Sequence, residues 1–502
     1  MAVALKGDDA PGTATGVEFR EIQRYILNNQ GQVAFEADLM GTDVTSSSQR
    51  GIWSQENGSE LKLVARADSI APGTGDAEKF FSFINIRFND AGETAILGQL
   101  ATQSTHNVGL WSDRNGSDLA LVARAGSPAP DVETGVTFGA GFNFGGSVFS
   151  FNDNGNSSFL GALEGPGIDS TNNIGIWSEE GTNGLKLVSR KSQPLDTYVP
   201  TIASNNNDQV AFIFQAFMPR TQFVGDSSGV TNITTTGDAA PGTGDSFLGF
   251  PFPTVINGRN EIAFLNSTTG TGNPQGVWSG GEDGLRLVAL SGKQAPGTNE
   301  GVVFAGFEGV AAGLDTFFAP AFNGNGQTAI MAALSGNGVD GSNDIGIWAE
   351  DPSGDLQLVA REGDTIDVND GPGVDLRTVF SLNFVRETGN EDGKASGFND
   401  LGQLVFHASF TDGSQGIFVS NQAAIPQSYG DFDADGNVGG SDFLAWQRDD
   451  ATAAGLAAWQ NNYGITNQSL SATQSVPEPN SICFATSLIL LLLARSQTKN
   501  RT

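Results

Sequence analysis

The sequence predicts an all-β fold, a seven-bladed β-propeller of four-stranded blades, and three observations carry this prediction. First, the 502 residues include 67 Gly and 34 Phe with only 16% charged residues, a composition that favours short strands and tight turns. Second, one strand-and-turn motif recurs seven times along the chain. Third, the chain begins with a segment that its last repeat lacks.

The recurring motif, called the Asn motif below, combines a turn with a strand. Its Asn-x-x-Gly half is turn chemistry, because Asn and Gly tolerate positive φ, and its second half alternates polar and apolar residues as a half-buried strand does. It reads NNQGQVAF at Asn28, NDAGETAI at Asn89, NDNGNSSF at Asn152, NNNDQVAF at Asn205, NGRNEIAF at Asn257, NGNGQTAI at Asn323 and NDLGQLVF at Asn399.

Three further segments complete each repeat. An apolar segment precedes the Asn motif, as at Lys79 and Asp245. A Gly-x-Trp strand follows the motif, at Gly51, Gly109, Gly175, Gly276 and Gly346, with Phe in place of Trp after Gly416 and a degraded form near Phe223. The outer strand, LxLVAR or similar, begins at Leu61, Leu119, Leu185, Leu285 and Leu356, with VTNITTT from Val230 in the fourth repeat. Each repeat therefore predicts four strands, with the Trp packed between neighbouring sheets.

The seventh repeat ends without an outer strand, and the chain opens with VALKGDDAPGT, which resembles an outer strand with its turn. We therefore predict that Ala2–Lys6 pairs with Gly416–Ser420 and closes the propeller. The alternative is an open superhelix or a β-solenoid, which four-stranded repeats of more than about 50 residues fit less well.

The charge balance limits the partners. Against 56 Asp and Glu stand 25 Lys and Arg, for a net charge of −31, which repels nucleic acid and anionic membranes, suits an exported protein and attracts divalent cations. The single cysteine, Cys483, allows no internal disulfide. The first residues show no secretory signal, so we expect the true start to lie upstream or to have been trimmed.

No residues are assigned to catalysis or to an organic cofactor. The two histidines, His106 and His407, lie in no motif, whereas zinc or serine-histidine chemistry needs more groups. The Gly-rich stretch from Gly139 lacks a phosphate-binding lysine, and most acidic residues fall in turns. A carbohydrate-active enzyme, glycoside hydrolase or lyase, remains the alternative, because such an enzyme needs only two carboxylates.

The segment YGDFDADGNVGGSDFLAWQR predicts a calcium site of the EF-hand type. Gly436 stands where a twelve-residue calcium loop turns sharply, and FLAWQR would form the helix that leaves the loop. Alternating carboxylates supply the hard oxygen ligands that Ca²⁺ prefers. The predicted ligands are Asp431, Asp433, Asp435, Asn437 through its backbone carbonyl, and Asp442.

This loop and its aromatic helix resemble a type I dockerin repeat over Tyr429–Gly464. Dockerins carry two such loops and bind cohesin domains, so the resemblance implies a cohesin-like or other envelope protein as a partner. The second half departs from the family, because GLAAWQNNYG from Gly455 repeats the helix without an acidic loop before it. It is closer to the dockerin-like tails of planctomycete-type surface proteins.

The C-terminal segment is similar to a PEP-CTERM sorting signal. Val476, Pro477, Glu478 and Pro479 precede the apolar run Ile482–Ala494, and Arg495 begins a basic end. The run of about 13 residues would be roughly 20 Å long as a helix, shorter than the ~30 Å hydrocarbon core. The resemblance implies transient membrane contact and recognition by an exosortase-type processing enzyme.

The predicted organisation has five parts: 1–420, the propeller repeats; 421–428, a linker; 429–464, the dockerin-like module; 465–480, a linker with Val-Pro-Glu-Pro; and 481–502, the apolar segment with its basic tail. The repeat region resembles bacterial, planctomycete-type exported tandem-repeat proteins with an NxxGxxAF signature. We expect a non-enzymatic interaction or scaffold protein of the cell surface, extracellular matrix or outer envelope, whose partner is extracellular polysaccharide or an envelope protein.

Overall fold

The structure is a computed structural model, and it divides the chain into two compact units, Met1–Pro426 and Gln427–Thr502. The first unit is built of antiparallel β-sheets, and the described part of the second contains the helix α1 (Gly440–Asp449) and further helical residues at 456 and 459–460. The structure describes residues 3–28, 30, 32–55, 60–75, 78–114, 118–140, 149–191, 202–214, 220–248, 254–307, 320–368, 374–386, 388–420, 438–449, 456, 459–460 and 463.

Seven sheets follow one another along the described part of the first unit, one for each Asn motif. Sheet 1 contains β1 (Val17–Leu27), β2 (Val33–Gly41), β3 (Arg50–Gln55) and β4 (Leu61–Arg66). Sheet 2 contains β5 (Phe80–Phe88), β6 (Thr94–Leu100), β7 (Val108–Ser112) and β8 (Ala120–Arg124). Sheet 3 contains β9 (Thr137–Phe138), β10 (Phe149–Phe151), β11 (Ser157–Glu164), β12 (Ile174–Glu179) and β13 (Leu185–Arg190), with a 3₁₀ turn at Gly181–Asn183.

The later sheets repeat this pattern. Sheet 4 contains β14 (Ile202–Ser204), β15 (Val210–Phe214), β16 (Thr221–Asp226) and β17 (Gly229–Thr235). Sheet 5 contains β18 (Val255–Ile256), β19 (Ile262–Ser267), β20 (Gln275–Gly281) and β21 (Gly284–Leu290). Sheet 6 contains β22 (Val303–Gly306), β23 (Ala321–Phe322), β24 (Thr328–Ser335), β25 (Ile345–Glu350) and β26 (Leu356–Arg361). Sheet 7 contains β27 (Thr365–Asp367), β28 (Leu376–Phe384), β29 (Leu404–Phe410) and β30 (Gln415–Ser420).

A local steric contact explains why glycine precedes tryptophan by two residues in the Gly-x-Trp strand. The indole ring of Trp53 folds back over Gly51, where an added Cβ would lie 2.5 Å from the ring. The indole N–H reaches the carbonyl oxygen of Pro11, 3.0 Å away, in the Ala-Pro-Gly turn that follows an outer-strand sequence. The same bond joins Trp111 to Pro72 (2.9 Å), Trp177 to Pro130 (3.1 Å), Trp278 to Pro241 (3.0 Å) and Trp348 to Pro296 (2.9 Å). Each Trp therefore joins its own sheet to the preceding repeat.

Hydrophobic cores lie between consecutive sheets. The core between sheets 1 and 2, for example, contains Ile52 and Ala65 from sheet 1 with Phe80, Ile96 and Trp111 from sheet 2. Equivalent clusters join sheets 2 and 3, 3 and 4, 4 and 5, 5 and 6, and 6 and 7. Packing between alternating strand faces thus links the repeats in order.

The structure does not show the predicted pairing of Ala2–Lys6 with Gly416–Ser420. Residues 3–6 form no strand, residue 2 lies outside the described residues, and β30 pairs only with β29 in the described part of the chain. The fourth strand of sheet 7 is β27 and not the N-terminal segment. β27 follows the turn that leaves sheet 6, and it pairs with the start of β28. Val3 and Ala4 instead pack against the core of sheet 1.

Candidate functional site

A chain of asparagine side chains connects the sheets where their first strands end. Each motif Asn accepts hydrogen bonds from backbone N–H groups of its own turn; the Oδ1 of Asn152, for instance, accepts those of Asn154 and Asn156 at 3.1 and 2.9 Å. Its Nδ2 donates to the backbone carbonyl of the next motif Asn. Six such links occur among the described residues: Asn28 to Asn89, Asn89 to Asn152, Asn152 to Asn205, Asn205 to Asn257, Asn257 to Asn323 and Asn323 to Asn399.

One segment of the seventh repeat, residues 388–394, contacts five sheets in succession and is called the crossing segment. As the segment proceeds from Thr388 to Gly393, the sheets that it contacts follow in reverse order, from sheet 6 to sheet 2. The carbonyl of Thr388 accepts the N–H of Phe322 in sheet 6 (3.1 Å), and Gly389 abuts the backbone of Ile256 in sheet 5. The Glu391 side chain accepts the N–H of Asn206 beside sheet 4 (2.8 Å). The carbonyl of Asp392 accepts the N–H of Phe151 in sheet 3 (3.2 Å), and the carbonyl of Gly393 accepts the N–H of Phe88 in sheet 2 (3.0 Å).

These contacts bring strands of sheets 2, 3, 5 and 6 and the Asn206 turn beside sheet 4 to one short stretch of backbone. Thr388 and Asp392 are fully buried, and the hydroxyl of Thr388 donates to the Asp392 carboxylate at 3.0 Å. Lys394 pairs with the other oxygen of that carboxylate at 3.0 Å. The backbone of the crossing segment therefore lies against the strands that precede four of the Asn motifs and against the Asn206 turn.

Acidic and amide side chains surround the crossing segment. The second residue of an Asn motif offers its N–H to the side chain of the second residue in the next motif, as Asp90 does to Asp153 (2.9 Å) and Asp153 to Asn206 (2.8 Å). The fifth motif has Gly258 at this position, and Glu391 supplies the missing acceptor to Asn206. A Cβ on Gly258 would lie 2.5 Å from the Glu391 carboxylate, so the glycine leaves room for it.

Glu391 is consequently a carboxyl group in an unfavourable electrostatic position. Burial, reinforced by the negative charges of Asp153, Asp400 and Asp392, raises its pKa to about 7, although the bond from Asn206 opposes the shift. Burial also raises the pKa of Asp153. The crossing segment therefore carries a proton at Glu391 under mildly acidic conditions.

Glu391→Gln is expected to remove one component of the pH dependence of stability. The folded protein keeps the Glu391 proton up to about pH 7, whereas the unfolded chain releases it near ~4.3. Native protein thus binds more protons in that interval, and the free energy of unfolding falls as pH rises through it. Melting temperatures from pH 4 to 8 should fall less steeply in the variant, and parallel curves would contradict the assignment.

A polar groove of about 680 Å³ lies between sheets 4 and 5. Its size is that of a small-ligand site, and its lining combines donors with acceptors. Arg286, on one wall, also pairs with the buried Glu350 of sheet 6 and donates to the carbonyl of Gly326 at 3.0 Å. Other lining residues include Gln209, Arg259, Glu261, Glu282 and Asp283.

Only one predicted calcium ligand falls among the described residues. Asp442 lies in the first turn of α1, is fully buried, and accepts the N–H of Gly439 at 2.6 Å. Trp459 packs on Phe443 and donates to the carbonyl of Gly439 at 2.7 Å. The other predicted ligands, Asp431, Asp433, Asp435 and Asn437, lie outside the described residues, as do Val476, Pro477, Glu478, Pro479 and Arg495 of the predicted sorting signal.

The two histidines lie in separate places. His106 contacts Glu164 at 2.5 Å, and His407 contacts Gln415 at 3.1 Å. Within the described ranges, no three or more His, Cys, Asp or Glu side chains form a group that could hold a metal ion. No helix in that same part of the chain has the length and apolarity to cross a membrane.

The crossing segment was missed by reasoning from the sequence. The signal available was the interval between the last two Asn motifs, 76 residues from Asn323 to Asn399, against 52 from Asn205 to Asn257. An insertion in one repeat indicates a segment with a separate role, but its length does not say where it lies.

A family model matches residues 1–204 and again 197–430. The chain belongs to DUF7453, a family of unknown function. The two successive matches agree with the tandem repeats, and together they cover the sheets described above. No curated protein matches this DUF7453 chain.

Solved structures match the DUF7453 chain at low identity and low TM-score. A Mycobacterium tuberculosis puromycin-hydrolyzing peptidase has a TM-score of 0.36 and 11% identity, over 80% of this chain and 50% of that one. Polysaccharide lyase Uly1 scores 0.30 with 13% identity, over 53% and 58%. PpgL, the periplasmic gluconolactonase of Pseudomonas aeruginosa, scores 0.30 with 12% identity, over 76% and 93%. The match covers 50% of the peptidase and 58% of the lyase, so this chain spans only part of the length of these two proteins. TM-scores this low carry no argument about activity.

Proposed function

We propose that this protein is a non-enzymatic, exported interaction or scaffold protein of the cell surface or extracellular matrix, with its seven sheets as the blades of a closed β-propeller. The crossing segment carries this proposal. Propellers surround a central channel, and backbone from residues 388–394 contacts strands of sheets 2, 3, 5 and 6 and the Asn206 turn beside sheet 4. A filled centre favours a rigid scaffold over a central catalytic cleft.

The partner we propose is extracellular polysaccharide, bound in the polar groove between sheets 4 and 5. Sugar hydroxyl groups need donors and acceptors in close alternation. Arg259 and Arg286 supply donors there, and Glu282 and Asp283 supply acceptors on the exposed hairpin between β20 and β21. The net charge of −31 favours a neutral glycan over an acidic one.

A glycan array probed with the full chain tests this proposal. Glu282→Ala with Asp283→Ala should lower the signal of bound glycans at least tenfold, whereas Glu300→Ala, an exposed acid outside the groove lining, should leave it unchanged. An array without any bound glycan would overturn the polysaccharide proposal. Release of reducing ends from a bound glycan would instead establish the competing function, a carbohydrate-active enzyme.

We also propose that the second unit binds Ca²⁺ through Asp431, Asp433, Asp435, Asn437 and Asp442. The observation in favour is the position of Asp442, buried at the start of α1, where the last ligand of such a loop stands. A module of this kind would support docking to a cohesin-like or other envelope protein. The Val-Pro-Glu-Pro segment and Arg495 would direct sorting by an exosortase-type enzyme.

Calcium titration of the full chain by calorimetry should show binding in the micromolar to millimolar range, on the order of that of extracellular modules. Asp433→Ala should abolish the heat, because it removes an alternating carboxylate of the loop. Glu300→Ala, in the first unit, serves as the control and should leave the isotherm unchanged. No heat at millimolar calcium would rule out the site.

A further inference from the structure

In the described part of the chain, β29 is the only strand that pairs with β30, the last strand of sheet 7. A groove of about 860 Å³ runs beside β30 and is lined by Val359, Ile366, Phe406 and Phe410 together with β30 itself. In sheet 2 the strand equivalent to β30 is β7, which pairs with the outer strand β8. Leu121 of β8 and the preceding Leu119 pack against the core between sheets 1 and 2. The groove therefore has the position and the apolar lining of an acceptor for one β-strand, and it lies beside the outer edge of β30.

Side chains on β30 are exposed where their equivalents are buried. Ile417 is 75% exposed, whereas Ile52, at the same position in sheet 1, is completely buried. The first strand of sheet 1 also has a side chain that is exposed where its equivalent is buried. Tyr25 of β1 is 75% exposed, and Ile86, its equivalent in β5, is 1% exposed. Both surfaces thus have the residues of an intersheet core, and the described part of the chain leaves these side chains exposed.

The first residues of the chain contact sheet 1 as the turn after an outer strand contacts the next sheet. The turn after an outer strand makes two backbone bonds to the next sheet, as Asp68 N–H to Phe80 O and Ala71 N–H to Glu78 O. The N-terminal turn makes the equivalent bonds to sheet 1 at 2.8 and 2.9 Å, Gly7 N–H to Phe19 O and Ala10 N–H to Val17 O.

The residues before the turn follow the same equivalence. Val64 and Ala65, on the outer strand of sheet 1, pack against the core that contains Trp111. Val3 and Ala4 pack in the same way against the core that contains Trp53. The N-terminal segment thus contacts sheet 1 as an outer strand contacts the sheet after its own, although the described residues 3–6 form no strand.

We propose that the groove beside β30 is a strand-acceptor site and that its occupant is the N-terminal segment of the same chain. The register follows from sheet 1, where Gly51 faces Arg66 and Ile52 faces Ala65. Leu5 then faces Gly416, and Ala4 faces Ile417. This inference rests on the proposed closed propeller, and it names the segment and the register that close it.

The intramolecular occupant is favoured over a strand from a second copy because the segment is tethered. Its turn is bonded to sheet 1 through Gly7, Ala10 and the Pro11 carbonyl. A tethered strand meets its acceptor at an effective concentration in the millimolar range, which a second copy in solution does not reach. The pairing would bury Ile417 and add a final ladder to sheet 7.

Disulfide trapping in the full chain tests the register. In a Cys483→Ser background, Ala4→Cys with Ile417→Cys should form an intramolecular disulfide on mild oxidation, because paired strands hold Cα atoms within bonding range. Ile52→Cys with Ala65→Cys, the equivalent pair within sheet 1, is the positive control. The negative control is Ala4→Cys with Leu401→Cys. Leu401 lies in the turn before β29, away from the proposed pairing of Ala4 with Ile417.

The expected result is a reducible, faster-migrating monomer for the first pair and for the positive control only. A disulfide-linked dimer would assign the groove to a second copy and overturn the inference. Free thiols in the Ala4→Cys, Ile417→Cys variant, with the positive control oxidised, would overturn it as well. Glycan binding is measured separately, so loss of the cross-link with retained glycan binding rejects the strand pairing alone and leaves the proposed function standing.

Discussion

Asn152→Ala is expected to lower the free energy of unfolding by about 3–5 kcal/mol, because buried polar groups left without partners cost ~1–3 kcal/mol each. The Asn152 side chain is fully buried. Its Oδ1 holds two backbone N–H groups of its own turn, and its Nδ2 donates to the carbonyl of Asn205 at 2.8 Å and to Asp208 at 2.9 Å. The substitution therefore removes the turn's acceptor and the link to sheet 4 together.

Urea denaturation followed by circular dichroism measures this loss. Asn154→Ala is the matched control, because Asn154 lies in the same turn but is exposed and makes one side-chain bond, to the carbonyl of Asn206; its effect should stay below about 1 kcal/mol. Asn152→Asp keeps an acceptor, loses both donors and places a second carboxylate beside Asp208, so it should also destabilise. Equal stability of Asn152→Ala and Asn154→Ala would show that the asparagine chain contributes nothing.

Trp177→Ala is expected to lower the free energy of unfolding by about 3–5 kcal/mol, the range for large-to-small changes of buried aromatic residues. Trp177 is fully buried between sheets 2 and 3. Its ring packs edge-on against Phe138 with centroids 4.9 Å apart and stacks on Phe159 at 6.3 Å. Its N–H donates to the carbonyl of Pro130 at 3.1 Å, so the variant leaves a cavity and an unpaired acceptor.

Trp177→Phe should cost less, about 1–2 kcal/mol, because it keeps an aromatic ring and loses mainly the bond to Pro130. Sheet 7 supports this expectation, since Phe418 replaces the Trp there and still stacks on Phe406. Phe81→Ala, at a 56% exposed position of β5, should change stability by no more than about 0.5 kcal/mol. An effect of Phe81→Ala as large as that of Trp177→Ala would contradict the packing role of the indole.

The sequence determined the repeat count, the Asn turn followed by a strand, and the Gly-x-Trp and outer strands. Even the degraded fourth repeat forms β16 and β17 where Phe223 and Val230 predicted them. These features are local: an Asn side chain caps the turn it begins, and a Gly makes room for an indole two residues away. Local contacts are therefore readable from short patterns.

Only the tertiary structure decided where the crossing segment lies and which side chains of β30 are exposed. Glu391 replaces the acceptor missing at Gly258 through a bond to Asn206 that spans 185 residues, and no short pattern specifies such a contact. The same holds for β30, whose sequence resembles its buried equivalents although Ile417 is 75% exposed in the described part of the chain. Propensity and periodicity describe each strand by itself, whereas burial depends on which distant element packs against it.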